Sequence, residues 1–299
     1  MIHAAAENGA TYAKIQSIWA NDLTRRERFE EGKTTPQGLV ETIKRPYQLE
    51  YERLKPLELS LEDHQWFIEE CQRRGLIPFT TLFTRGTVDA VAALPWPKRL
   101  VKIASYDCAS YALLSDLKRH FDTFFVSTGA THDEEIARTA EFLKEKHVVF
   151  FHCVTRYPNT FDNCHLARLD FLRQFSAAVG WSDHTRVSVD GIKASKAALA
   201  LGADYIERHF TILPAEQTKD GPISIGPTHV KKLAEFAALS PDDRLREAHD
   251  SIPEFTRLIG QRTRALTHEE LLNRDYYRGR FATHIEGRPR YNWIPEEKS

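Results

Sequence analysis

Two histidines, His184 in "GWSDHT" and His209 in "DYIERHF", each close a short apolar run, and one helical pattern separates them. Side chains at the ends of neighbouring parallel strands reach one space, so two such imidazoles can hold a divalent metal with open positions, suited to polarising a carbonyl oxygen. Lys14 and Lys102 stand at the ends of two other runs, and Gln16, Thr81, Ser105, Ser127, Thr155 and Ser182 occupy equivalent points. Ammonium groups supply charge and hydroxyls supply directed donors, a combination that suits a phosphate or carboxylate. A phosphorylated anion beside a metal-bound carbonyl compound points to carbon–carbon bond formation or cleavage. Taken singly, each residue has a plainer reading, because a strand-end Ser or Thr often caps the next helix and a lone His is often hydrogen-bonded structure. The alignment of the whole set is the signal.

These residues converge only if the elements that carry them do. Runs at "TYAKIQSI", "LIPFTTLF", "RLVKIAS", "TFFVSTG", "HVVFFHC", "AAVGWS" and "DYIERHF" alternate with helical patterns over Leu61–Arg73, Asp133–Lys146 and Ser188–Leu201. Such alternation calls for a parallel sheet. Ser60 with Asp63, and Thr131 with Glu134, fit capping boxes at helix starts. No Gly-x-Gly-x-x-Gly turn follows any run, so the α/β pattern favours a (β/α)8 TIM barrel, whose C-terminal strand ends share one mouth. Only seven runs can be counted, which predicts a barrel lacking its first strand, with an open slot between the strand of Lys14 and the strand of His209. "MIHAAAENGATYAKIQ" reads as the end of a helix, a stop at Gly9 and then a strand.

Composition narrows the setting. The chain has 299 residues, a net charge of -1 and four cysteines without a CxxC pair, which argues against a nucleic-acid or anionic-membrane partner and against a disulfide framework. The expectation is a cytoplasmic protein without a leader or membrane span. Residues 1–240 read as the barrel domain and 241–299 as a helical and irregular extension packing on it. In that extension, Tyr276, Tyr277, Phe281 and Trp293 are expected against the barrel with arginines outside; a homodimer contact is the other role it offers. "RRERFEEGK", Arg25 to Lys33, reads as a solvated piece of the long Ala20–Pro56 connection, of a length that often marks a lid. His152 and Cys153 read as buried filler.

"KIQ" at 14–16, "TTLF" at 80–83, "KIASYD" at 102–107, "VSTGA" at 126–130, "FHCVTRYP" at 151–158, "GWSDHT" at 180–185 and "IERHFT" at 206–211 resemble, in order and spacing, the motifs of the N-acetylneuraminate (sialic acid) synthase family. The resemblance implies a metal-dependent condensation of phosphoenolpyruvate with an N-acylated aminosugar aldehyde, such as N-acetylmannosamine, to give a nonulosonic 2-keto acid and phosphate. It implies His184 and His209 as ligands of manganese or a similar divalent ion. Lys14, Lys102 and Asp220 become the catalytic candidates. Thr81, Ser105, Ser127 and Ser182, with the two lysines, would hold phosphoenolpyruvate, and Gln16, Tyr157 and Glu207, with Asp220, would face the sugar.

Departures from the family pattern matter as much as the matches. The family's Glu-Ile-Gly-x-Asn-His type first strand has no counterpart here, so no residue is carried over for its glutamate. "DGPISIGP" stands where Gly-Pro-Asp-His and a Ser are usual, keeping Asp220 and Ser224 in register, and Asp107, a further substrate-binding candidate, stands where some relatives have Glu. The final residues are too short and too charged for the antifreeze-like domain of many relatives. Two alternatives stay open at this point: another metal-dependent barrel aldolase or lyase, and a non-catalytic relative.

Overall fold

Every one of the seven runs forms a strand in the computed structural model, which describes residues 1–295. They are β1 (Tyr12–Ser17), β2 (Ile77–Leu82), β3 (Leu100–Ile103), β4 (Thr123–Ser127), β5 (His147–Cys153), β6 (Ala178–Asp183) and β7 (Tyr205–Arg208), paired in sequence order into one seven-stranded sheet. All the pairings are parallel. Helices alternate with the strands: α1 (Ile2–Glu7) precedes β1, then come α2 (Leu61–Arg73), α3 (Val88–Ala92), α4 (Tyr111–Lys118), α5 (Asp133–Phe142), α6 (Arg168–Leu172), α7 (Lys193–Ala200) and α8 (Pro227–Ala237). The chain is an α/β fold with a curled parallel sheet of barrel type. β1 and β7 are its two edges and do not pair with each other, so the slot expected between the Lys14 and His209 strands is present.

The period of two along each strand sorts side chains between two cores. Val101, Ile103, Phe124, Val126, Phe150, Val179 and Trp181 pack outward with the helices in the main core. Phe79, Leu100, Phe125, Val149 and Phe151 point inward and meet Tyr12, Ala178 and Tyr205. This inner cluster is mostly aromatic. Phe125 lies 5.6 Å from Phe79, 5.3 Å from Phe151 and 5.0 Å from Tyr205 between ring centroids. Gly180 makes room for it, since a Cβ there would lie 2.4 Å from the Phe151 ring.

The cluster also spans the slot. Tyr12 of β1 and Tyr205 of β7 sit 6.1 Å apart, so side chains bridge edges that no backbone ladder joins. Outside, the turn after α1 lies on α8: at Gly9, with φ of +88°, a Cβ would stand 2.8 Å from the Ala234 Cβ. Beyond β7 the chain doubles back, and the Ile225 N–H donates to the His209 carbonyl at 2.8 Å.

Several local expectations are corrected. The α5 cap is His132, whose N–H donates to Glu135 at 3.0 Å, because the Thr131 hydroxyl is drawn to the carbonyls of Ser105 and Gly129. The Ser188–Leu201 pattern is broken at Gly191, which adopts φ of +58° and lets the chain restart as α7. Within Arg25–Lys33 most residues are exposed as expected, but Phe29 is buried and Arg26 donates to the carbonyls of Asp275, Tyr276 and Arg278, so this solvated piece is also anchored. Ser60 and Asp63 do form a capping box on α2.

The C-terminal segment contains α9 (Pro241–Ser251) and α10 (His268–Tyr277) and a short hairpin. Residues 296–299 of the expected extension lie outside the described residues. Tyr276 and Phe281 are buried as expected, but several arginines turn inward, because each finds a carboxylate: Arg264 pairs with Glu270, Arg274 with Glu135, and Arg280 with Glu50, all at 2.6 Å. Four free, buried cysteines are present, and among the described residues no helix is long and apolar enough to cross a membrane.

Candidate active site

Directly above the aromatic layer, the next inward positions of the same strands are polar. β1 offers Lys14 and Gln16, β2 Thr81, β3 Lys102, β4 Ser127, β6 Ser182 and β7 Glu207, followed by His184 and His209 just past β6 and β7. The register explains their proximity: Gln16 is opposite Thr81, Thr81 opposite Lys102, and Ser182 opposite Glu207. Sequence order and strand parity alone therefore bring these residues to one face.

Lys102 organises the centre. It is 3% exposed, its Nζ lies 2.6 Å from Glu207 Oε2, and it rests 3.9 Å above the Phe151 ring centroid, so the aromatic layer forms its floor. Burial alone would raise the Glu207 carboxyl, but the ammonium groups of Lys102 and Lys14 prevail and hold it at about 2. Lys14 is pushed below its usual range by burial, with Glu207 opposing the shift and Lys102 adding to it. Two lysines and one carboxylate thus share this centre. With Glu207 as its ion-pair partner, Lys102 Nζ keeps further N–H donors for an anion.

The two histidines adjoin this centre, with ring centroids 5.6 Å apart. His184 Nδ1 meets the Val154 carbonyl at 3.1 Å, which assigns the proton to Nδ1 and leaves the Nε2 lone pair available. Burial, with the His209 ring beside it, pushes His184 down to about 3, so the imidazole is neutral, the form that binds a metal. His209 Nδ1 lies 3.7 Å from Asp220 Oδ2. Tyr157, 47% exposed, covers His184 at 4.3 Å between centroids. Among the described residues no group of three or more His, Cys, Asp or Glu forms a metal site. Neutral His184, with its Nε2 lone pair available beside the His209 ring, fits a divalent ion that keeps most positions open for other ligands.

Ser105 and Asp107 are differently engaged. Ser105 Oγ accepts the Gly129 N–H at 3.1 Å and touches Cys153 Sγ at 3.1 Å; a Cβ on Gly129 would lie 2.9 Å from that hydroxyl, so the "STG" glycine serves close approach. Asp107 accepts from Ser110 at 2.8 Å and from Asn292 of the C-terminal segment at 2.9 Å.

Sequence reasoning expected that segment to pack on the barrel but missed that it reaches the mouth. Asn273 donates to the Thr155 carbonyl, Arg274 to the Ala130 carbonyl, Tyr277 stacks on Tyr106 at 5.0 Å, and Asn292 donates to the Phe83 carbonyl. It thus lies across the loops that follow β2 to β5 and walls one side of the mouth. No local pattern announces this, because it depends on the chain returning from far in sequence.

A family model described as the NeuB family matches residues 1–239. The chain belongs to the NeuB family. It is 30% identical over 239 residues to the N,N'-diacetyllegionaminic acid synthase of Campylobacter jejuni, covering 78% of this chain and 68% of that protein. With the N,N'-diacetyllegionaminic acid synthase of Legionella pneumophila it shares 29% over 79% of this chain and 65% of the relative. With a Campylobacter jejuni pseudaminic acid synthase it shares 28% over 84% and 68%. The chain thus spans about two thirds of the length of these curated relatives. The crystal structure of an N-acetylneuraminic acid synthetase from Leptospira borgpetersenii shares the fold, with a TM-score of 0.66, 23% identity, and coverage of 92% of this chain and 84% of that one. The motifs that carry the family resemblance are therefore also the segments that line the mouth.

Proposed function

We propose that the chain is a synthase-type enzyme that condenses phosphoenolpyruvate with an N-acylated aminosugar aldehyde, giving a nonulosonic 2-keto acid and phosphate. The observation that carries the reading is the Lys14–Glu207–Lys102 centre beside the His184–His209 pair. Lys14 and Lys102 hold the phosphate and carboxylate, with hydroxyls from Thr81, Ser105, Ser127 and Ser182. Gln16, Tyr157, Glu207 and Asp220 face the sugar, and Asp107 supports the rim. His184 and His209 would hold a divalent ion such as manganese, which supplies Lewis-acid polarisation of the aldehyde.

The enol carbon of phosphoenolpyruvate bonds to the sugar's aldehyde carbon, and the electron-poor C2 that results takes up water. Cleavage of the C2–O bond releases phosphate and leaves the ketone. The lysines bind the phosphate before and during this sequence, stabilising charge as it moves onto the leaving group and fixing the angle of attack. The aromatic floor beneath Lys102 keeps water from below.

Mass spectrometry of mixtures of phosphoenolpyruvate, manganese and candidate acylaminosugars tests the reading. The expected product has the mass of sugar plus phosphoenolpyruvate plus water minus phosphoric acid. Phosphate release that is independent of the sugar would overturn it.

A further inference from the structure

Behind the two histidines lies a buried ion pair that touches neither the mouth nor any substrate candidate. Asp183 and Arg208 are opposite each other in the β6–β7 register, each one residue before a histidine, and both face the helix layer while Ser182 and Glu207 face inward. Arg208 Nη1 lies 2.5 Å from Asp183 Oδ2, with side chains 3% and 0% exposed. Asp183 also accepts from Ser195 of α7 at 2.6 Å, from the Thr185 N–H at 2.9 Å and from the Thr185 hydroxyl at 2.8 Å. Arg208 donates onward to Thr185 Oγ1 at 3.3 Å, to the Thr185 carbonyl at 3.4 Å and to the Ile223 carbonyl at 3.1 Å.

The connectivity has a purpose beyond stability. β6 ends at Asp183 and β7 at Arg208, so the backbone ladder between them stops where the histidines begin. Past that point something else must fix their separation. The pair clamps the two strand ends, its bonds to Thr185 tie down the residue after His184, and its bond to the Ile223 carbonyl anchors the loop that follows Asp220, whose carboxylate meets His209. An isolated buried pair gives weak net stability, since desolvation opposes attraction, and its best-attested use is to specify geometry. We infer that Asp183 and Arg208 are positioning residues that set the spacing of His184, His209 and Asp220, and so the divalent-cation affinity of the mouth. This rests on the proposed role of the two histidines.

The test compares wild type with Arg208→Lys and with the double variant Asp183→Leu/Arg208→Met, which replaces the pair by apolar volume so that no lone charge stays buried. Four readouts are taken: thermal unfolding, titration with Mn(II) and Co(II) alone, long-range 1H–15N imidazole spectra in the absence of metal, and steady-state turnover. The expected result for the double variant is cooperative unfolding at a lowered midpoint, because the donors of Ser195 and Thr185 lose their acceptor, Mn(II) binding weakened by about tenfold or more, an altered Co(II) visible spectrum, and shifted imidazole signals of His184 and His209 but not of His64. Arg208→Lys, which keeps charge without the planar fork, should fall between. In turnover, kcat should fall while the KM for phosphoenolpyruvate stays near wild type, because its lysines sit on β1 and β3. A folded double variant with wild-type Mn(II) affinity and unmoved imidazole signals would overturn the inference and leave the pair structural. If wild type itself binds neither ion, the metal reading fails, and the imidazole spectra still decide whether the pair positions the rings.

Discussion

The inward faces of the strands carry two storeys, one aromatic and one polar, and the two differ in what they can lose. The lower storey of Tyr12, Phe79, Phe125, Phe151 and Tyr205 closes the curl across an interval that no ladder spans. The upper storey of Lys14, Thr81, Lys102, Ser127, Ser182, Glu207 and the two histidines has little apolar area to bury, and it keeps donors and lone pairs unspent. Stability and chemistry are thus assigned to successive inward positions of the same strands, a division set by height along the sheet.

The sharpest way to break this division is Phe125→Ala, which removes the ring at the centre of the lower storey. Large-to-small core changes of this kind cost about 3–5 kcal/mol, so the thermal midpoint should drop by roughly 5–8 °C, read by circular dichroism. A midpoint within two or three degrees of wild type would mean that the aromatic storey does not close the curl.

A comparison point outside both storeys is Glu50, which receives Arg53, Arg280 and Lys219 and so ties the Ala20–Pro56 connection to the C-terminal segment and to the loop of Asp220. Burial would raise its carboxyl, but those cations hold it at about 2. A depressed carboxyl contributes stability that is fully present above its unfolded value near 4.5 and is lost as pH falls towards 2. Glu50→Gln should therefore cost on the order of 2 kcal/mol at neutral pH, and the deficit against wild type should shrink between pH 4.5 and pH 2. Parallel pH profiles of the two proteins would remove Glu50 from this role.

Gly180→Ala sharpens the picture inside the lower storey. Its Cβ meets the Phe151 ring, and overpacking of that kind costs about 1–3 kcal/mol. Adding Phe151→Leu should recover part of the loss and at the same time remove the floor of Lys102. Losses that simply add would show that the two sites are independent.

Least change in stability is expected in the upper storey. His184→Ala forfeits one hydrogen bond to the Val154 carbonyl, about 1 kcal/mol, yet it should abolish metal-dependent turnover. Lys102→Met should raise the phosphoenolpyruvate concentration for half-saturation by about tenfold, equivalent to roughly 1.4 kcal/mol of lost binding, and lower kcat. Unchanged kinetics would return Lys102 to a structural role with Glu207.

The strands and the inward row were legible because both rest on short-range rules: alternation of βα units, and a period of two that places Lys14, Thr81, Lys102, Ser182 and Glu207 on one face. Boundaries were less legible where tertiary demand prevails, as at Thr131, whose hydroxyl is taken by Ser105 and Gly129 carbonyls and leaves the cap to His132. The inward arginines were illegible for a related reason. Charge count does not reveal that Arg274 and Arg280 meet Glu135 and Glu50, which lie far away in sequence.

The unpaired edges also shape how the molecule trades protons with solvent. Along β1 the Thr11 carbonyl accepts the Ile77 N–H, and along β7 the Asp204 N–H donates to Val179, so ladder alternation turns the amides of Tyr12, Lys14 and Gln16, and those of Tyr205 and Glu207, towards the slot. Amides of the central strands β4 and β5 are held between neighbours on both sides. Deuterium should therefore enter the peptide backbone of β1 and β7 in alternate residues long before it reaches β4 and β5, and the slow step there is a small parting of Tyr12 from Tyr205, not the unfolding of the sheet.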